Sequence, residues 1–91
     1  MINIPNLTIE IWKNKSWYIA KAPELDFVSQ GHTPDAAKEN LLEVIKIQFE
    51  EMEEIGTLNE YLSECGFEIK GNDLISQMDI IGSGKYAISF K

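Results

Sequence analysis

Few side chains in this sequence could do acid–base, nucleophilic or metal chemistry. They are one histidine, His32, one cysteine, Cys65, and a cluster of carboxylates at Glu50, Glu51, Glu53 and Glu54. A zinc site needs several convergent ligands, and neither the cysteine–histidine spacing of zinc motifs nor a two-histidine helix is present. His32 falls just before a helix cap, the place of a solvated turn residue rather than a general base or ligand. The four carboxylates are near neighbours on one helix. They therefore point in different directions instead of converging as a polynuclear site requires, and they read as a hydrated face. Gly82-Ser83-Gly84 lacks both the lysine of a phosphate-binding loop and the full glycine pattern of a dinucleotide site, and reads as a hairpin turn. No serine is recognisably grouped with a histidine and an acid. The sequence thus predicts no catalytic residue, no cofactor, no metal and no enzyme activity, and function has to be sought in binding.

The element that would position any binding surface is a long helix. Thr33 is an N-cap residue whose hydroxyl can accept from a first-turn amide, Pro34 follows at the first helical position, and Asp35 sits beside the positive end of the helix dipole. Gly31, two residues before the cap, is expected to allow a sharp backbone turn. Ala37, Leu41, Val44, Ile45, Gln48, Met52 and Ile55 recur at spacings of three and four, giving one mostly apolar face. Leu42, Ile47 and Phe49 fall outside that stripe, so the helix is apolar over more than one small sheet would cover. Gly56 followed by Thr57 ends it.

Period-two alternation of Leu7, Ile9 and Ile11 with Thr8, Glu10 and Trp12 predicts a first strand over 7–12. A polar loop, Lys13 to Ser16, leads to a second strand over 17–22, ended by Pro23. Closing the loop with Trp12 opposite Trp17 sets Ile11 against Tyr18 and Ile9 against Ala20 on one face, leaving Trp12, Trp17, Glu10 and Ile19 on the other. The first face suits packing against the helix. The second has nothing obvious to cover it, so its tryptophans either stack across the hairpin or pack under the carboxyl-terminal segment, or they mark a protein-binding patch. Pro23-Glu24-Leu25 is a connector, and 26–30 is a short third strand. Beyond Gly56 the sequence predicts a short helix over 58–65 with Leu58, Tyr61, Leu62 and Cys65 on one side, a polar turn at Gly71-Asn72-Asp73, and strands over 77–81 and 85–91 joined by Gly82-Ser83-Gly84. The fold class is α+β: an antiparallel β-β-β-α core with one or two further strands.

Ninety-one residues make one domain, 1–91, able to bury roughly 60–65% of its unfolded surface, and 44% apolar residues place it among ordinary globular chains. A lone cysteine fits a reducing compartment, and no apolar run approaches the roughly 18 residues of a membrane span, so a cytoplasmic protein is expected. The charge is unevenly placed. From Asp35 to Glu64 there are nine acidic side chains against Lys38 and Lys46, which accounts for the whole net charge of -7. Nucleic acid is therefore not the expected partner, and an acidic surface suited to a basic protein is one reading of the segment.

These residues carry a resemblance. Tyr18-Ile19-Ala20, Pro23-Glu24-Leu25, Ser29-Gln30-Gly31-His32-Thr33, Ala37, Asn40 and Glu43 to Ile45 occur in one order over residues 7–55, and together they resemble the amino-terminal domain of the HicB antitoxin family. The resemblance implies a partial ribonuclease H-like fold, a β-β-β-α-β core without the nuclease site, and neutralisation of HicA, a small basic toxin that cleaves RNA. The chain departs from the pattern at Asp26-Phe27, where many members have a glycine–cysteine pair after the connector, and at Ala36, where an acidic residue is common. No DNA-binding module is read at the carboxyl-terminal side, so autoregulation is not part of the expectation.

Two functions are expected from this reading. The first is a protein-binding module of antitoxin type, with a basic HicA-type toxin as partner and Trp12, Trp17, Ile19, Glu50 and Glu54 as the contact residues. The second is a stand-alone structural domain that self-associates as a homo-oligomer. Neither calls for a membrane or for direct contact with nucleic acid.

Overall fold

A two-residue turn sets the register of the first hairpin. In the computed structural model, which describes residues 3–90, Lys15 adopts a left-handed conformation (φ 58°) and with Ser16 joins strand β1 (Glu10–Asn14) to strand β2 (Trp17–Ala22). Asn14 lies opposite Trp17 and Trp12 opposite Ile19. The expected pairing of Trp12 with Trp17 is therefore wrong by two residues, because the loop is two residues long and not four. Since side chains alternate with period two, a slip of two leaves each on its expected face, whereas a slip of one would have reversed them all. Strand β1 also starts later than expected, at Glu10, with Leu7 and Ile9 half-buried ahead of it.

Strand β3 (Phe27–Gly31) pairs with the other side of β2, giving the antiparallel order β1-β2-β3. The connector between them is anchored by Leu25, which is fully buried and whose N–H donates to the Ala22 carbonyl at 3.1 Å. Asp26 takes the left-handed conformation that closes the turn (φ 58°), one that aspartate tolerates better than most residues.

Helix α1 (Pro34–Ile55) begins as its cap dictates: the Thr33 hydroxyl accepts from the Ala36 N–H at 3.0 Å, and Pro34 stands in the first turn. Gly56 ends it in a left-handed conformation (φ 83°). Gly31 is needed for a reason other than the expected turn. It has no positive φ, but a Cβ there would lie 2.6 Å from the Ala37 nitrogen, so only glycine lets the end of β3 come this close to the helix. The helix lies over β2 and β3, where Ala20 and Ala22 offer small side chains, and buries Ala37, Leu41 and Ile45 against them. Val44, Phe49 and Met52 are half-buried, while Gln48 and Ile55, expected on the packed face, are exposed, Ile55 as the last residue of the helix.

Helix α2 (Leu58–Glu64) turns back with Leu58 and Leu62 buried and Tyr61 and Cys65 half-buried, the side expected from their spacing. The Tyr61 hydroxyl donates to the Leu25 carbonyl, and its ring stacks on Phe27 with centroids 5.8 Å apart.

The last part of the chain differs from expectation. Strands β4 (Phe67–Lys70) and β5 (Asp73–Ser76) form a hairpin around Gly71-Asn72, a separate two-stranded sheet that buries Phe67 and Leu74. It is tied to the start of the chain through Asn3, whose N–H donates to the Asn72 carbonyl at 3.1 Å and whose carbonyl accepts from the Leu74 N–H at 2.7 Å. Residues 77–90, where two strands were expected, contain none, and Gly82-Ser83-Gly84 turns no hairpin. Lys91 lies outside the described residues. Alternation alone does not make a strand, and these residues have no ladder neighbour. Among the described residues, no helix is long and apolar enough to cross a membrane.

Candidate protein interface

The sheet face turned away from α1 is assembled by β alternation. Trp12 on β1, Trp17 and Ile19 on β2, and Val28 and Gln30 on β3 all point to it. It is open: Trp12 is 51% exposed, Trp17 40% and Val28 57%, with Ile19 half-buried between them. Exposed aromatic and branched side chains grouped on one rigid sheet form the kind of patch that in other proteins marks a protein interface.

Two neighbours shape this patch, and neither is legible as a site residue in the sequence. His32 follows β3, and carrying the ladder one step beyond the Tyr18–Gly31 pair brings it level with Trp17. Its ring lies 4.1 Å from the indole, centroid to centroid, with a 30° tilt. Lys21, diagonal to Trp12 across the hairpin, holds its ammonium 5.0 Å from the centre of that indole, within the range of cation–π attraction. Glu10 faces Lys21 at the edge of the patch and Lys15 is exposed in the turn beyond Trp17, whereas Lys13 belongs to the other face, with its ammonium 6.0 Å from the centre of the Tyr18 ring. The signal that would have found His32 was the β2–β3 register, which the sequence alone left open.

Glu50 and Glu54 do not belong to this patch. They are exposed on α1, which packs on the opposite face of the sheet, so the five expected contact residues divide between two surfaces. Glu50 borders an open groove of about 590 Å³ beside the helix, lined also by Ile4, Leu42, Ile45, Phe49 and Leu58 and by two further charged residues, Glu53 and Lys46. Leu42 and Phe49, apolar positions outside the main stripe of the helix, thus provide an apolar floor next to carboxylates. Such a groove is chemically matched to a basic partner that brings an apolar anchor.

One titrating group stands out away from both surfaces. Burial, with the Cys65 thiol and Asp26 adding to it, raises the Tyr61 phenol above its ordinary range and keeps the hydroxyl protonated as a donor. Its role is to tie α2 to the β2–β3 connector.

Comparison of the chain with protein-family models, curated proteins and solved structures finds no match.

Proposed function

We propose that this protein is a protein-binding module of antitoxin type, which neutralises a small basic RNA-cleaving toxin of the HicA kind and itself catalyses nothing. The observation that carries the reading is the groove beside α1, where Leu42, Phe49 and Leu58 lie next to Glu50 and Glu53, which outnumber the one lysine there, Lys46, on the segment that holds the whole net charge. A carboxylate-rich helix draws a basic protein in from a distance, and the apolar floor rewards it on contact. The ordered motifs over residues 7–55 that resemble the HicB amino-terminal domain name the kind of partner. In this reading Glu50 and Glu54 face the toxin, and Trp12, Trp17 and Ile19 supply a second contact surface.

A second reading, a self-associating domain without a toxin, is favoured by the lysines around the tryptophan patch. Lys21 on the patch and Lys15 in the turn beside it can meet the acidic helix of another copy, so two copies can associate by unlike surfaces.

Affinity capture from the native cell separates the two. A small basic protein recovered with this chain, toxic when expressed alone and harmless when co-expressed with it, supports the antitoxin reading. Recovery of the chain with itself alone supports the second.

A further inference from the structure

After β5 the chain first runs along the body, with the Ser76 hydroxyl bonded to the Met78 backbone, and then departs from it. Ile81, Tyr86, Ile88 and Phe90 are between 83 and 99% exposed. The consequence is visible in the size of the molecule: its radius of gyration is 15.2 Å, against about 12 Å for a compact chain of this length. Exposing two aromatics and two isoleucines on ten residues is costly, because each aromatic alone could remove roughly 150–250 Å² from water. The pattern is specific as well. Tyr86, Ile88 and Phe90 alternate with Ala87 and Ser89, a strand with one apolar face that lacks a sheet. Gly82-Ser83-Gly84 precedes it as a permissive joint.

The sheet has a matching vacancy. At the β3 side, the Asn40 side-chain amide already donates to the Gln30 carbonyl at 2.8 Å, and α1 crowds Gly31. At the β1 side, the helix gives little cover, and Ile11 on the helix-facing side is 42% exposed while Trp12 on the other is 51% exposed. An unpaired edge with exposed apolar side chains above and below is a template for one more strand.

We propose that the segment Lys85–Phe90 pairs as a strand with the open edge of β1 in a second copy of this chain, which returns its own segment in exchange. In the structure it pairs with no strand of its own chain, and its apolar side chains are exposed. The exchange is reciprocal and closes on itself, so it yields a dimer and not a fibre. Tyr86 and Phe90 of two copies could bury up to roughly 600–1,000 Å², and Ile81, Ile88 and the exposed Ile11 add to this, so the contact can reach the roughly 1,000 Å² expected of a stable interface. The inference does not depend on whether a toxin partner exists, since it leaves both the groove beside α1 and the Trp17–His32 end of the patch open.

The test compares the full chain with the double variant Ala87→Pro/Ile88→Pro, which removes two successive N–H groups and so a ladder donor whichever way the strand is turned, at positions exposed in the single chain, so that folding is left intact. Sedimentation equilibrium should give twice the chain mass for the parent and the single-chain mass for the variant. In the parent, the amides of 85–90 should exchange slowly with deuterium, and in the variant rapidly. A parent of single-chain mass overturns the proposal, whether its 85–90 amides exchange fast or are protected by folding back on their own sheet. A dimer that survives the double substitution unchanged overturns it equally.

Discussion

The imidazole of His32 leans on the indole of Trp17, two rings fifteen positions apart in the chain that meet only because the β2–β3 ladder carries them to the same level. The contact holds Trp17 in place on a rigid sheet while leaving 40% of it exposed. A side chain held ready in this way loses little freedom on binding, which is what makes aromatic residues effective anchors.

Trp17→Ala should therefore separate binding from folding. Truncating an interface aromatic costs about 2 kcal/mol or more of association energy, about a thirtyfold rise in Kd. Its partly exposed position should keep the stability loss well below the roughly 3–5 kcal/mol of a buried tryptophan. Leu41→Ala, in the core against the sheet, is the control, with an expected loss of about 2–5 kcal/mol. Urea melts and partner titration read the two effects. A Trp17→Ala chain that unfolds, or that binds its partner with unchanged affinity, would remove the patch from the interface.

Gly31→Ala tests the approach of α1 to β3. The new methyl would meet backbone atoms of Ala36 and Ala37, which cannot swing aside as a flexible side chain could. A loss of about 1–3 kcal/mol or more is expected, as for other overpacked positions. Gly82→Ala, with open space around the added carbon, should stay within about 0.5 kcal/mol of the parent. Equal losses at the two glycines would show that the close approach does not constrain the fold.

How far the fold could be read from the sequence depended on how local its signals were. The start and end of α1 were legible because Thr33, Pro34 and Gly56 act on their own neighbours, and the two faces of the β1–β2 hairpin were legible because they depend only on parity. The hairpin register was not, since Lys15 enters a left-handed conformation without the glycine or asparagine that would announce it. Phe67-Glu68-Ile69-Lys70 and Asp73-Leu74-Ile75 around Gly71-Asn72 did carry a hairpin signal of alternation about a two-residue turn. From the sequence only the turn is read in this stretch, and the strands are placed at 77–81 and 85–91, where the alternation of Tyr86, Ile88 and Phe90 has no neighbour to pair with in the single chain. For the candidate site, residue types could nominate the tryptophans and the glutamates. Only the layering of helix on sheet could reveal that they occupy different surfaces.

Tyr61 predicts the alkaline limit of stability. Its phenol titrates higher in the folded chain than the value of about 10 it has when unfolded. As pH rises past 10 the unfolded state gives up this proton first, so the stabilisation is complete below that pH and is lost as pH climbs through the folded value. Tyr61→Phe keeps the stacking on Phe27 but leaves the Leu25 carbonyl without its donor, so it should cost about 1 kcal/mol near neutrality. It should also flatten the fall in stability above pH 10. Urea melts across that range check both parts, and an unchanged alkaline slope in the variant would assign the effect to another group.

The carboxylates at the end of α1 give the sharpest test of the proposed function, because local physics argues against them. Glu50, Glu51, Glu53 and Glu54 occupy the last turns of the helix, near the negative end of its dipole, and no basic residue stands in the final turn. Glu50 and Glu54 are also a like-charge pair one turn apart, mildly repulsive in its own right. Each such charge costs typically about 0.3–1 kcal/mol, so Glu54→Lys should stabilise the isolated protein by a few tenths to about 1 kcal/mol. If the cluster exists to draw in a basic partner, the same substitution should slow association and reduce its dependence on salt, with a smaller effect on dissociation. The expected variant is thus more stable and a poorer binder, read by thermal melts and by association rates at low and high salt. A stabilised Glu54→Lys chain that associates at the parental rate at every salt concentration would leave the acidic segment as a hydrated surface and nothing more.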